Sequence, residues 1–227
     1  ILTAGRGLNV KLQPGARDEK ETASRPNEEY IILASASRAR AKMLSCAGIS
    51  FNIVPADLDE ETIKQSFQLD GMGFDNSRIA LVLAGRKASY VSKSIPDRLV
   101  IGADQILDLD GECIDKPADW RQARSQLIRL SGRSHELVSA VSVTCNGREL
   151  WNYVDRARLS MRILSEEFVD AYLDKIGDAA FTSPGSYQVE GLGVQLFDRI
   201  DGDHYTILGM PLLPLLDYLR RRQLDLS

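Results

Sequence analysis

Apolar and polar positions follow two different rhythms along this chain, and the change from one to the other is sharpest between residues 30 and 60. Tyr30-Ile31-Ile32-Leu33 is an apolar run of strand type. Ala34-Ser35-Ala36-Ser37-Arg38-Ala39-Arg40 turns to small, hydroxylated and basic residues, and residues 41–48 continue at helical spacing with Gly48 placed to end the helix. A second apolar strand, Phe51-Asn52-Ile53-Val54, runs into Asp57-Leu58-Asp59-Glu60. Hydroxyls and free backbone N–H groups at a helix start, with an arginine in its first turn, suit an anion such as phosphate. Carboxylates just beyond the next strand suit a metal ion. Taken alone, the stretch reads first as a capped helix followed by a polar loop, so weight falls on whether the pattern recurs.

It does recur. Residues 79–92 read as a helix with an apolar side, residues 98–103 as a buried strand, and residues 119–130 as a helix starting at Asp119 and stopping at Gly132. Residues 138–144 and 158–163 read as strands in different environments. Residues 165–176 form a helix capped by Ser165, with Glu166 and Glu167 in its first turn. A strand over 194–200 and a closing amphipathic helix over 211–222 complete the series, with Leu212, Leu213, Leu215, Leu216 and Leu219 as its core positions. Alternation of this kind predicts an α/β fold around one long sheet. Residues 1–29, polar and mixed in charge with several Gly and Pro, read as a flexible N-terminal extension, leaving 30–227 as a single domain.

Composition narrows the roles. The chain has 227 residues, 44% hydrophobic and 26% charged, within the ordinary range for a soluble globular protein. A formal net charge of -4 leaves no basic footprint, so a nucleic-acid polymer is not an expected partner, although a compact nucleotide held by a few local cations is compatible. Cys46, Cys113 and Cys145 are far apart and include no Cys-x-x-Cys, which argues against a disulfide framework or zinc knuckle and fits a reducing cytoplasm. No apolar run approaches the ~20 residues of a membrane span, and the leading segment lacks a signal-peptide pattern. Only two histidines exist, so a multi-histidine metal centre is excluded. The phosphate loop with Gly-Lys-Ser/Thr, the dinucleotide glycine fingerprint and the nucleophile elbow are all missing.

Candidate chemistry lies in a few polar interruptions. Gly102-Ala103-Asp104-Gln105 breaks an apolar segment with a carboxylate and an amide, and a carboxylate there is costly unless paired or metal-bound. Its alternative is a hairpin residue or structural ion pair. Asp115-Lys116-Pro117 presents a cation before a proline, where the backbone is extended. Lys87 lies within the helix over 79–92, where an ordinary surface lysine is also expected. The glycine-rich stretch 185–193 precedes a strand and reads as a loop approaching a ligand closely, with Glu190 as its one charged side chain.

In order and spacing these segments resemble the Maf family of nucleoside triphosphate pyrophosphatases from about residue 30 to 222. The family opening Leu-Ala-Ser-x-Ser-Pro-Arg-Arg appears as Leu33-Ala34-Ser35-Ala36-Ser37-Arg38-Ala39-Arg40. Further matches are Asp59-Glu60, Lys87-Ala88, Gly102-Ala103-Asp104, Lys116-Pro117, Ser131-Gly132-Arg133-Ser134-His135 and Gly209-Met210-Pro211-Leu212. The resemblance implies an elongated mixed sheet flanked by helices, with two lobes around a nucleotide cleft. It implies hydrolysis between the α- and β-phosphates, aided by Mg²⁺ or Mn²⁺ on Glu60 and Asp104. Lys87 and Lys116 would oppose charge on the leaving pyrophosphate, and Ser35, Ser37, Ala39, Arg40, Gln105 and Glu190 would line the substrate. Asp104 is carried over as the acceptor of the attacking water's proton, a role that competes with metal binding.

Two departures bear on the substrate. Arg38 and Ala39 replace the family's proline and first arginine. Gln105 and Glu190 stand where the dTTP- and UTP-directed branch carries threonine and glutamine. The pattern resembles the branch associated with 7-methyl-GTP. A dTTP/UTP pyrophosphatase, a nucleotidyl- or phosphotransferase with the same cleft, and a non-catalytic nucleotide-binding regulator of septum formation are the rival expectations. The family also implies a homodimer.

Overall fold

A computed structural model describes residues 31–69 and 75–222; the expectation for residues 1–29 lies outside them. Among the described residues one seven-stranded sheet contains β1 (Ile31–Leu33), β2 (Phe51–Ile53), β3 (Leu99–Leu109), β4 (Glu112–Ile114), β5 (Ser134–Cys145), β6 (Arg148–Met161) and β7 (Phe197–Asp201). Its order is β2-β1-β3-β5-β6-β7, with β4 paired to the far end of β3. β1 runs parallel to β2 and β3, and the remaining pairs are antiparallel. The helices are α1 (Arg38–Cys46), α2 (Glu60–Leu69), α3 (Asn76–Ser94), α4 (Trp120–Leu130), α5 (Glu166–Ile176), α6 (His204–Ile207) and α7 (Leu212–Arg221). This is the α/β fold around one sheet that the alternation predicts, and the sheet is mixed and flanked by helices as the family resemblance implies. Among the described residues no helix is long and apolar enough to cross a membrane.

The period of two along β3 sorts its side chains onto the two faces. Val100 and Ile106 pack under α3 with Val138 and Ala140 of β5, while Gly102 and Asp104 share that face. Leu99, Ile101 and Ala103 face the other way, into a cluster with α1 and α7; Leu107 and Leu109 join a second cluster with α4 and α5. Gln105 falls between these two apolar halves. It pairs across the sheet with Ser139, which pairs with Asp155, so one polar rung separates them. The short helix α6 docks on that rung: the Gln105 amide donates to the carbonyls of Thr206 (3.1 Å) and Ile207 (3.0 Å), Ser139 Oγ to Thr206 O (2.7 Å), and Thr206 Oγ1 to Asp155 Oδ2 (2.8 Å).

Several expectations are corrected here. The polar pair Asp104-Gln105 does not interrupt the strand, because each side chain finds partners on its own face. The strand expected over 158–163 is the end of a longer one, β6, which stops at Met161. Asn146-Gly147, with φ of +51° and +74°, turns β5 into β6, and Asp110-Gly111, at +54° and +89°, turns β3 into β4. Both are the left-handed two-residue turns that asparagine, aspartate and glycine tolerate best. The acidic stretch after β2 is not only a loop: Asp59 caps α2 by accepting from the Thr62 N–H (3.0 Å) and hydroxyl (2.7 Å). The glycine-rich stretch forms 3₁₀ turns at Pro184–Ser186 and Leu192–Leu196, so β7 begins only at Phe197. Leu213 is exposed rather than part of the core.

Candidate active site

A cavity of about 1610 Å³ opens between the two apolar halves of the molecule. Its floor is a three-membered charge cluster, two of whose members are buried. Lys87 of α3 donates from Nζ to Asp104 Oδ1 at 2.5 Å and lies 2.8 Å from Glu60 Oε1 at the start of α2. Lys87 and Asp104 are 9% and 5% exposed, whereas the Glu60 side chain keeps 43% of its surface. A lysine at this depth requires such partners, since an unpaired buried charge is costly. Burial works against ionisation of Glu60, but attraction and hydrogen bonding from Lys87, helped by Lys64 and Lys116, hold its carboxyl below the ordinary value.

Gly102 sets the spacing of this cluster. A Cβ there would sit 2.1 Å from the Ala84 carbonyl oxygen and 2.7 Å from the Ala88 nitrogen, both backbone atoms of α3. Only a residue without a side chain lets α3 lie this close to β3, and that closeness brings Lys87 onto Asp104 two residues along the strand. The sequence Gly-x-Asp thus combines a contact surface and a carboxylate on one face.

The 34–40 segment forms a second wall of the cavity. Ser37 caps α1, accepting from the Arg40 N–H at 3.4 Å, and Ser35 Oγ accepts from the Ser37 N–H at 3.3 Å. The backbone N–H groups of Arg38 and Ala39 have no acceptor among the described residues, as expected for a first helical turn. Arg40 differs from the sequence expectation. Its Nε donates to Gly209 O at 2.9 Å, and its Nη1 to Ala103 O (2.9 Å) and Ser35 Oγ (3.1 Å). Burial lowers its pKa, opposed by Asp104 and Glu60. This guanidinium chiefly ties the loop to the sheet and to the turn before α7, and only Nη2 lacks a protein acceptor among the described residues. Exposed Arg38 lines the same wall, a cation that sequence reasoning treated only as a missing proline. Ala39 presents a methyl group.

Lys116 is exposed on the facing wall with no hydrogen bond or ion pair among the described residues. Lys64, absent from the sequence expectations because α2 was, also lines the cavity and pairs with Asp115. Its spacing from Glu60, one helical turn, was the signal available. Gln105 is shared: its amide nitrogen is committed to Ser139 Oγ and the α6 carbonyls, so donor–acceptor logic turns its oxygen away from them. Glu190 is exposed in the turn closed by the Gly191 N–H to Gln188 O (3.1 Å), on the cavity wall and without a protein partner among the described residues. His135 is buried away from this group. Its Nε2 shares a 2.6 Å hydrogen bond with the Tyr187 hydroxyl, its Nδ1 has no partner, and burial drives its pKa down to about 4.

For a divalent cation the donor set is two carboxylates. Among the described residues no group of three or more His, Cys, Asp and Glu gathers as in an all-protein cage. Two carboxylates with substrate phosphates suffice for Mg²⁺ or Mn²⁺, which keep phosphate and water oxygens in their shell. Glu60 and Asp104 each use one oxygen on Lys87 and retain another, so the residues present fit an ion brought with a nucleotide.

With this geometry in view, the comparisons with known proteins agree with the motifs. The family described as Maf-like protein matches residues 30–222, and the chain belongs to it. A nucleoside triphosphate pyrophosphatase of Rhodopseudomonas palustris is 53% identical over 194 residues, covering 86% of this chain and 94% of that one. One from Paramagnetospirillum magneticum is 50% identical over 189 residues, covering 83% and 96%. The crystal structure of a nucleoside-triphosphatase, a dITP/XTP pyrophosphatase from Mycobacterium abscessus, superposes with a TM-score of 0.38 at 15% identity, covering 86% of this chain and 95% of that one. So loose a superposition bears on nothing in the site.

Proposed function

We propose that the protein is a nucleoside triphosphate pyrophosphatase that cleaves between the α- and β-phosphates and prefers 7-methyl-GTP. The activity itself is supported by family membership and by relatives of that name at about half identity over nearly their whole length. The observation that carries the reading is Lys87 held between Asp104 and Glu60 at the floor of a cleft whose walls add Lys116, Lys64 and Arg38.

Phosphoryl-type displacement asks the protein mainly for positioning and charge neutralisation. In this reading the free N–H groups at the start of α1 and the Arg38 side chain receive the phosphates. Lys116, unpaired and exposed, meets charge growing on the pyrophosphate. Lys87 orients Asp104, and the free Asp104 oxygen accepts a proton from water. A divalent cation, which Glu60 would hold together with Asp104 in competition with that proton-acceptor role, would neutralise phosphate charge. At the other end, Glu190 is acceptor-only and matches the N1–H and N2–H₂ donors of guanine. Methylation at N7 makes that base cationic and favours a carboxylate neighbour further.

The test is pyrophosphate release from a panel of canonical and modified nucleotides with Mg²⁺ or Mn²⁺. Monophosphate and pyrophosphate as products, with the highest kcat/KM for 7-methyl-GTP, are expected. Release of orthophosphate would refute the cleavage position, and preference for dTTP or UTP would refute the base reading.

A further inference from the structure

We infer that Gln126 of α4 is a positioning residue that ties the lysine wall of the cleft to the base-side loop through one carboxamide. Its Nε2 donates to the Asp115 carbonyl at 2.9 Å, and its Oε1 accepts from the Gly185 N–H at 3.0 Å. A carbonyl only accepts and an N–H only donates, so the two partners fix which way the amide points. On one side, Asp115 directly precedes Lys116 and its carboxylate holds Lys64. On the other, Gly185 and Ser186 take consecutive left-handed φ values of +75° and +59°, which reverse the chain towards Glu190.

The base-side loop is seated hard on the sheet at this point. A Cβ on Gly185 would lie 2.7 Å from Tyr187 Cε1 and 2.8 Å from Leu107 Cδ1. Ser183 Oγ donates to Tyr187 O at 2.6 Å and Tyr172 to Ser186 O at 3.2 Å, so a displacement at Gly185 is passed along the loop. Gln126 therefore sets the distance between the groups assigned to the two ends of one nucleotide. That consequence rests on the proposed roles of Lys116 and Glu190; the brace itself rests only on the two hydrogen bonds. Nothing in the sequence marks Gln126, which sits between Ser125 and the core residue Leu127 on α4.

Two variants separate the arms. Gln126→Glu keeps an acceptor for Gly185 but loses the donor to Asp115, and Gln126→Leu loses both. Amide hydrogen exchange at Gly185 should accelerate in Gln126→Leu and stay near wild type in Gln126→Glu; unchanged exchange in Gln126→Leu overturns the brace whatever the kinetics. For positioning, Gln126→Glu should lower kcat about fivefold with the base ranking kept, and Gln126→Leu should also narrow the kcat/KM ratio between 7-methyl-GTP and dTTP. The kcat effect should vanish in a Lys116→Ala background, and the narrowing in a Glu190→Gln background, as coupled residues require. Faster exchange with unchanged kcat and ranking, or effects that add in full to those backgrounds, overturns the positioning role. If Lys116→Ala and Glu190→Gln are silent by themselves, the site assignment falls, and the positioning role with it, while the exchange result stands alone.

Discussion

Asp104 and Gln105 are consecutive residues of β3 that serve opposite faces of the sheet: Asp104 meets Lys87 under α3, and Gln105 gives its amide to the carbonyls of α6. One strand thus carries the charged floor of the cleft on one side and anchors the element bordering its mouth on the other. The first prediction concerns the charged side. Asp104→Asn removes the carboxylate but leaves an amide oxygen for Lys87, which also retains Glu60. Pyrophosphate release should fall by about 10³-fold, the scale lost with a proton acceptor, while stability drops only about 1–3 kcal/mol. Steady-state assay and denaturant melts check both, and near-normal turnover would remove Asp104 from the chemistry.

Lys87 and Lys116 should separate in a way the sequence alone does not indicate. Both Ala substitutions should lower kcat and kcat/KM together, about tenfold or more. Only Lys87→Ala should also shift the melting temperature, because it leaves Asp104 buried without its partner, whereas Lys116 makes no protein ion pair among the described residues. A change confined to KM for Lys116→Ala would indicate uniform substrate binding instead.

Gly102→Ala tests the spacing argument. Its Cβ would overlap backbone atoms of α3, so the helix must move away from the strand. Overpacking of this kind typically costs about 1–3 kcal/mol, and here the displacement also stretches the Lys87–Asp104 contact. Reduced stability accompanied by reduced kcat is expected. Stability at the wild-type value would show that α3 does not rest on this glycine.

His135 gives a pH dependence. Its folded pKa, about 4, lies below the ordinary 6.5 because burial disfavours the cation. The unfolded chain therefore binds more protons in acid, and stability present above pH 6.5 is lost as pH falls towards 4, by about 3 kcal/mol in total. Glu60, whose folded pKa is also lowered, adds to the loss only below the usual carboxylate range, so the interval from 6.5 to 5 isolates the histidine. Denaturant melts across that interval should slope downward in wild type and flatten in His135→Gln. An equal slope in both would assign the dependence elsewhere.

The loop opening on Ser35 and the carboxylate of Asp104 were legible because both set polar residues against an apolar run, Ser35 at the end of β1 before a capped helix and Asp104 within β3. What sequence reasoning missed had local signals or none. Asp110-Gly111 and Asn146-Gly147 are hairpin dipeptides that would have joined the separate strands into β3–β4 and β5–β6. The helix α2 was hidden by its composition: among its described side chains only Ile63 and Phe67, four residues apart, pack against the core. The structural ties of Arg40 could not be read from the sequence, because its acceptors on Ala103 and Gly209 are 63 and 169 residues away. The same holds for Gln105, whose polarity is explained by a helix that begins nearly a hundred residues later.

That placement of Gln105 reshapes the last prediction, on base choice. Glu190 stands exposed on the cavity wall with no protein partner among the described residues, so its carboxylate is available to a base. Glu190→Gln should therefore lower kcat/KM for 7-methyl-GTP by about tenfold, the scale of a charge-assisted hydrogen bond, and should affect neutral pyrimidines far less. Uracil and thymine offer one N–H between two carbonyls, and an amide suits those carbonyls where a carboxylate repels them. Adding Gln105→Thr should move activity further towards dTTP and UTP, but it also strips donors from the Thr206 and Ile207 carbonyls, each lost bond costing about 1 kcal/mol. The double variant should thus melt lower than Glu190→Gln alone, and Ala39 limits how far the switch goes because its methyl group contributes no cation. The measurement is kcat/KM for 7-methyl-GTP, GTP, dTTP and UTP in wild type, both single variants and the double, each beside a melting curve. A wild-type preference for dTTP, or a ranking unmoved by Glu190→Gln, would show that the turn at 188–191 does not read the base.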